Sequence, residues 1–325
     1  MTLRAAVLGH PISHSKSPAL HRAAYAHLGV DIAYSAIDVT EADLPDFMRQ
    51  VRVEARADGF WRGLSVTMPL KSAMVAEVDE VRGVGRALGV VNTVAFESGG
   101  GRADHTRLVA YNTDVAGIVN ALRHAGAAPA PTAVVLGGGG TAAAAIAALK
   151  ELGAVSAEVF VRDPSRAAEA RAASAAVGLP VQVLPLAGAA AAVAAADVVI
   201  STLPPRAADP LAVELADALA AELAQEPPAP PAESVPRNDA AGRRRTTPSG
   251  GSGRPGVLLD VAYDPWPSRI AAVWQEAGGT VVPGLEMLIY QAVEQVRHFT
   301  GLGEALPAGV IDVMCDAVGA PRRVF

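Results

Sequence analysis

Thr132-Ala133-Val134-Val135-Leu136-Gly137-Gly138-Gly139-Gly140-Thr141-Ala142 runs an apolar, β-rich segment straight into four glycines. An alanine-rich stretch, residues 141–152, follows with helical character. In a strand, glycine turn and helix of this kind, the glycines permit a tight turn. Backbone N–H groups can then reach a pyrophosphate at the helix N-terminus. A glycine run alone would indicate only a flexible turn. Its placement between strand and helix makes Gly137, Gly138, Gly139, Gly140 and Thr141 candidates for a dinucleotide site. The next strand, residues 158–161, ends at Val161 and leads into Arg162-Asp163-Pro164-Ser165-Arg166. There, units that bind NAD offer a carboxylate to the ribose 2′-hydroxyl, and units that bind NADP offer arginine to the 2′-phosphate. Arg162 and Arg166 lie about one helical turn apart and can meet the same anion, so NADP is favoured over NAD. Asp163 either opposes that phosphate or caps a helix starting near Ser165.

The alternation continues on both sides. A helix over 165–177, a strand over 181–185, a helix through the alanines of 187–196 and a strand over 197–202 imply a doubly wound parallel sheet. Upstream, strands are expected at 5–8, 30–39 and 64–67, and helices at 41–52 and 69–78. Residues 90–96 and 107–111 flank Ser98-Gly99-Gly100-Gly101 and read as a hairpin. A helix follows Asp114 to about residue 125. The stretch from about 225 to 256 breaks the pattern with seven prolines, Arg243-Arg244-Arg245 and Ser249-Gly250-Gly251-Ser252-Gly253. Without aromatic residues or isoleucine it cannot bury enough apolar surface to offset its ordering entropy. A disordered surface insertion is expected there, with a strand resuming at 257–261.

A chain of 325 residues can form two modest domains. A net charge of −6 argues against a general nucleic-acid binder. One cysteine, Cys315, excludes an internal disulfide and a cysteine-based zinc cluster. It suits a reducing compartment and a small buried position. No cationic, apolar leader opens the chain and no apolar run is long enough to span a bilayer. These features point to a cytoplasmic protein acting on a small molecule, with no nucleic-acid or membrane partner. No His/Cys/Asp cluster has ligand spacing, and no metal is expected.

Near the N-terminus, residues 10–21 read His-Pro-Ile-Ser-His-Ser-Lys-Ser-Pro-Ala-Leu-His. A short apolar run closed by Gly9 precedes them. Ser17 is expected as N-cap, Pro18 at the first helical position and Gly29 as the stop. Ser15 and Ser17 thus lie on a strand-to-helix loop, a place suited to a small anionic, hydroxyl-rich ligand. Lys71 falls in the first turn of the helix expected after Pro69, where a cation opposes the helix dipole. That points to a role beyond helix stability. Asp114 stands at a helix start, where an N-cap role would suffice. Spacing does not pair these two residues.

The motifs, taken in order, resemble those of the shikimate dehydrogenases. They are Pro11-Ile12-x-His14-Ser15-x-Ser17-Pro18, Val66-Thr67-Met68-Pro69-Leu70-Lys71, Gly89-Val90-Val91-Asn92-Thr93, Asn112-Thr113-Asp114, the central glycines, and Gly284-Leu285-x-Met287-Leu288-Ile289-x-Gln291-Ala292. The resemblance covers nearly all of the chain except 205–256. It implies reversible, NADP-dependent reduction of 3-dehydroshikimate to shikimate, in the route to chorismate and aromatic amino acids. It implies an α/β fold with two domains. One is a substrate domain of residues 1–114 completed by C-terminal helices in 285–325. The other is a Rossmann-type NADP domain of residues 115–284 that holds the insertion. Monomer and homodimer both remain open.

The resemblance also implies roles. Lys71 and Asp114 share a proton network beside the substrate hydroxyl. Ser15 and Ser17 hold the carboxylate, and Thr67 and Asn92 bind ring hydroxyls or the carboxylate. Tyr263 contacts substrate, Gln291 binds a hydroxyl, and Gly284 and Met287 lie near the nicotinamide. Reducing a ring ketone requires a hydride and a proton, and a positioned ammonium can stabilise the developing alkoxide and donate that proton. The family's NADP-using members carry Asn-Arg-Thr-x-x-Arg where this chain has Val161 and Asp163 in place of Asn and Thr. Asp163 keeps open a quinate/shikimate dehydrogenase that prefers NAD. A non-catalytic shikimate-binding protein is disfavoured by the presence of both Lys71 and Asp114. Ser65 stands where many relatives have Asn, and Ala110 and Val115 where many have Gly. The family's chemistry does not use His14 or His21, and His14 is expected to pack or hydrogen-bond within its loop.

Overall fold

The computed structural model describes residues 2–57, 59–98, 106–225 and 255–322. The first unit runs β1 (Leu3–Gly9), α1 (Ser17–Leu28), β2 (Ile32–Asp38), α2 (Leu44–Ala57), β3 (Trp61–Val66), β4 (Glu80–Val81), α3 (Val84–Leu88), β5 (Thr93–Ser98) and β6 (Thr106–Tyr111). Its strands form a six-stranded sheet of order β2-β1-β3-β5-β6-β4. The sheet is mixed: β1 pairs in parallel with β2 and β3, while β5 pairs antiparallel with β3 and β6. The β5–β6 pairing is the expected hairpin. Its glycine turn, and the insertion expected at 225–256 except for its ends, lie outside the described residues.

After α4 (Asp114–His124) the second unit runs β7 (Ala133–Leu136), α5 (Gly140–Glu151), β8 (Ala157–Val161), α6 (Ala168–Val177), β9 (Val181–Pro185), α7 (Ala189–Ala195), β10 (Val198–Ser201), α8 (Asp209–Gln225), β11 (Val257–Asp260), α9 (Arg269–Glu276) and β12 (Thr280–Pro283). The sheet order is β12-β11-β10-β7-β8-β9, with every pairing parallel. The strand order reverses between β7 and β10, and a crevice opens there at the strands' C-terminal ends. The chain closes with α10 (Gly284–Thr300) and α11 (Gly309–Val318).

Side-chain alternation decides the layers. On β1, Ala5 and Val7 join a core with α1, α10 and α11, while Ala6 and Leu8 join one with α2. Around β7, Val135 packs with α4 and α5, while Val134 and Leu136 pack with α7, α8 and α9. Each fully buried leucine or valine contributes roughly 1.5–3 kcal/mol. On α5, residues 142–149 are all buried, because alanine is small enough to let neighbouring helices approach closely on every side. From α10, Ile289, Ala292, Val296 and Phe299 pack in the core of the first sheet, and Met287 packs beside α4 and α5.

Local structure departs from expectation in three places. Ser17 is the first residue of α1, not its cap. Its N–H is taken by Ser15 Oγ at 3.3 Å, and Lys16 occupies the cap position without a capping side chain. Residues 69–78 are turns and a 3₁₀ segment, Ala73–Glu77, instead of an α-helix. The reason is one carbonyl. Lys71 O accepts the Val91 N–H at 3.0 Å, so Val75 N–H turns back to Ser72 O at 3.3 Å. A 3₁₀ turn, Pro164–Arg166, precedes α6, whose α-helical part starts at Ala168.

Helices α4 and α10 meet at Gly117. A Cβ there would come within 2.8 Å of the Met287 carbonyl oxygen and 3.2 Å of Gln291 Cβ. Gly117→Ala should therefore destabilise the protein by about 1–3 kcal/mol through overpacking in urea unfolding. Unchanged stability would mean that α10 is free to shift.

Candidate active site

Loop ends from both sheets converge on a cavity of about 250 Å³. Ser15 reaches it from the loop after β1 and Ser17 from the first position of α1, and Thr67 and Lys71 from the turn after β3. Asp114, the first residue of α4, supplies its carboxylate, and Thr141 its hydroxyl from the start of α5. Tyr263 enters from the loop after β11, and burial raises its phenol pKa. Gly284, Met287 and Gln291 face the cavity from α10 at positions i, i+3 and i+7, one stripe of a helix. A Cβ on Gly284 would run into the Val261 backbone, so only glycine lets α10 start so close to β11.

The centre of the site is an ion pair. Lys71 Nζ lies 2.5 Å from Asp114 Oδ2. The Asp114 side chain is 0% exposed and that of Lys71 14%. Asp114 Oδ1 accepts from Asn92 Nδ2 at 2.8 Å, and the N-terminus of α4 adds a favourable field. Lys71 Nζ also stands 3.5 Å from Thr141 Oγ1, so the lysine touches side chains from both units. Asn92 is fully buried behind the cavity wall, where its amide serves Asp114 and, at 2.6 Å, Gln291 Oε1.

A second cleft, of about 700 Å³, opens over the glycine turn. Gly137, Gly138 and Gly139 line its floor, with Arg162, Asp163 and Arg166 on one wall. Gly137 has φ +112°, and a Cβ on it would strike Thr202 Oγ1. A Cβ on Gly138 would sit 2.9 Å from Val161 Cγ1. Arg162 and Arg166 are exposed, and neither forms an ion pair among the described residues. Asp163 is committed to Ser165, accepting its N–H at 2.9 Å and its hydroxyl at 2.6 Å, which holds the carboxyl pKa down. Gly140 turns toward Val90 instead of the cleft, and Thr141, grouped with the glycines in sequence, belongs to the smaller cavity.

Gln295 and Asp260 escaped the sequence reading, and Ser65 entered it only as a departure from many relatives. Gln295 and Ser65 line the cavity. Gln295 follows Gln291 by one helical turn on an inward face, and that spacing is the signal that could have found it. Asp260, buried and raised in pKa by that burial, accepts from Ser268 Oγ at 2.6 Å and from Ala262 N–H at 3.3 Å, anchoring the loop that carries Tyr263. His14 is exposed and lines the cavity instead of packing within its loop. Cys315 is buried in α11.

Comparison with known proteins supplies the chemical context. Residues 7–94 match the family model of the shikimate dehydrogenase substrate binding domain, and residues 284–302 that of the shikimate 5′-dehydrogenase C-terminal domain. The chain is 35% identical over 301 residues to shikimate dehydrogenase (NADP(+)) of Rubrobacter xylanophilus, covering 91% of this chain and 90% of that protein. The crystal structure of Mycobacterium tuberculosis shikimate dehydrogenase superposes with a TM-score of 0.73 at 36% identity, covering 98% of this chain and 99% of that one. Shikimate 5-dehydrogenase of Thermus thermophilus in complex with NADP(H) and shikimate superposes with a TM-score of 0.67 at 30% identity, covering 97% and 100%.

Proposed function

The chain belongs to the shikimate dehydrogenase family, and on that premise we propose that it interconverts 3-dehydroshikimate and shikimate with NADP, in the route to chorismate and aromatic amino acids. The observation that carries this reading is the Lys71–Asp114 pair, held at the wall of a polar cavity where side chains of both units meet.

The residues fit NADP. The glycine turn leaves a floor that Cβ atoms would fill, and the cleft wall offers two exposed guanidiniums, with Asp163 close enough to feel the charge of Arg166. The alternative of an NAD enzyme needs a carboxylate for the ribose; Asp163 spends Oδ1 on Ser165, and only Oδ2 is left for such a contact. When bound, the cofactor supplies or accepts the hydride.

The protein does the rest. Lys71, as an ammonium, stabilises charge developing on the substrate oxygen and gives up a proton to it, then recovers one in the reverse direction. Asp114 holds the lysine at the cavity wall. Ser15, Ser17 and Tyr263 take the carboxylate, and Thr67 and Gln291 the ring hydroxyls. Asn92 acts on those hydroxyls through Asp114 and Gln291. Gly137, Gly138 and Gly139 receive the pyrophosphate, with Gly140 and Thr141 opening the helix behind them. Arg162 and Arg166 receive the 2′-phosphate, and Gly284 and Met287 border the nicotinamide. In this scheme residues 1–114 with 285–325 form the substrate domain, and 115–284 the cofactor domain. A net charge of −6 and a single buried cysteine suit a cytoplasmic enzyme, monomer or homodimer, that acts on a free metabolite. Among the described residues no helix is long and apolar enough to cross a membrane.

Initial rates of shikimate and quinate oxidation, each with NADP and with NAD, test the assignment. Shikimate with NADP should be fastest. Preference for quinate with NAD would make the protein a quinate dehydrogenase, and absence of turnover with normal binding would make it a sensor.

Arg162→Ala should weaken NADP binding by roughly 10- to 100-fold while sparing NAD, the worth of a charge-assisted contact to the 2′-phosphate. Equal losses for both cofactors in fluorescence titrations would place that phosphate elsewhere. Lys71→Ala should lower kcat by about two to four orders of magnitude with a much smaller change in substrate affinity. Asp114→Asn should act in the same direction, and the double variant should be clearly less than additive. A rise in KM at constant kcat would make Lys71 a binding residue only.

A further inference from the structure

Gln295 lies on α10 at the cavity wall, 4% exposed. All four of its hydrogen-bonding sites are used inside the protein. Nε2 donates to the Asn92 main-chain oxygen and to Thr93 Oγ1, each at 3.2 Å. Oε1 accepts from Ser65 Oγ at 2.8 Å and from His21 Nε2 at 3.1 Å. A main-chain carbonyl can only accept, so the amide of Gln295 has one possible orientation.

The bonding sense then propagates in both directions. On the far side, His21 must carry its hydrogen on Nε2 and accept at Nδ1 from the Tyr25 hydroxyl, 3.1 Å away. Full burial lowers its pKa to about 3, so the ring is neutral near pH 7. On the near side, Thr93 Oγ1 donates to Asn92 Oδ1 at 3.0 Å, and the Thr113 main-chain N–H donates to the same oxygen at 2.7 Å. An N–H can only donate, which fixes Asn92 as well. Its two amide hydrogens are left for Asp114 Oδ1 and Gln291 Oε1. With its oxygen so engaged, Gln291 has its amide nitrogen for the cavity.

We propose that Gln295 is a positioning residue for the reaction: it holds the Asn92 carbonyl and the Thr93 hydroxyl, and through the Asn92 amide it fixes how Gln291 and Asp114 present themselves to the substrate. Because its sites are filled by protein groups, it does not itself bind substrate. This role rests on the reading of the cavity as the shikimate site.

Gln295→Met keeps the side-chain length and removes all four hydrogen bonds. It should lower kcat roughly 10- to 100-fold, the cost of a misplacement on the ångström scale, with shikimate KM changing less and the NADP dissociation constant unchanged by fluorescence titration. Thr93→Val removes the hydroxyl that joins Gln295 to the Asn92 amide and also meets Thr113 Oγ1, and should act in the same direction, less than additively with Gln295→Met. Tyr25→Phe removes only the far bond to His21 and should lower Tm while leaving kcat near wild type. A Gln295→Met enzyme with reduced Tm but wild-type kcat would overturn the role, as would an equal kcat loss in Tyr25→Phe. If Gln295→Met does not fold, Thr93→Val decides: wild-type kcat there refutes the proposal. Wild-type protein that binds NADP but does not turn over shikimate would overturn the substrate assignment itself, and this role with it.

Discussion

A carboxylate with no access to water has to be answered by the protein, and Asp114 is such a group. An isolated buried charge would cost several kcal/mol or lose its ionisation. Here the compensation comes from Lys71 on one oxygen, the Asn92 amide on the other and the first turn of α4 beneath. Each of these groups is fixed by something else. Lys71 sits in a turn whose carbonyl is tied to Val91 N–H, and Asn92 is held by Thr93, Thr113 and Gln295. Keeping one buried carboxylate paired beside an open cavity therefore shapes the turn after β3, the start of β5, the start of α4 and the inner face of α10. In the proposed reaction this pair is the source of both the charge that meets a developing oxyanion and the proton.

A second constraint is backbone proximity. The cleft floor works because the chain at 137–139 carries no side chains, and α10 can begin against β11 because residue 284 has no Cβ. Gly117 lets α4 lie against α10 at the level of Met287 and Gln291. Through these contacts α10 belongs to both halves of the molecule. Its apolar stripe is buried with the first sheet, while its first turns form a wall of the cavity next to α4 and α5. Lys71 with Thr141, and Ser72 Oγ with Glu169 Oε1 at 3.0 Å, join the two units across the opening.

Much was legible from the residue order because it rests on local physics. Alternation of apolar strands with helices gave the second sheet, and the glycine turn between β7 and α5 gave the edge over which the larger cleft opens. Arg162 and Arg166 stand beside that edge as their spacing required. Where a residue's fate depended on a distant hydrogen bond, local reasoning failed. A helix at 69–78 satisfied propensity, yet Val91 captured the carbonyl that the helix needed. Ser17 looked like a cap, yet Ser15 performs that service. Two hydroxyl residues so close in sequence cannot be told apart without the turn geometry.

The sequence by itself determined the layered α/β architecture, the glycine-floored cleft, the arginine pair on its wall and the identity of most side chains that meet the cavity. The first three are consequences of periodicity, of glycine's missing Cβ and of charge, whereas most of the cavity side chains were implied by the family resemblance. Only the tertiary structure decided which of them touch. Lys71 and Asp114 are 43 residues apart, and Ser65 and Gln295 are 230 apart. No spacing rule links such positions, because their contact follows from sheet order and helix packing. The sense of the hydrogen-bond chain from His21 to Asp114 was likewise invisible. It is set where side-chain amides meet two main-chain groups, the Asn92 carbonyl and the Thr113 N–H, each of which can bond in only one sense.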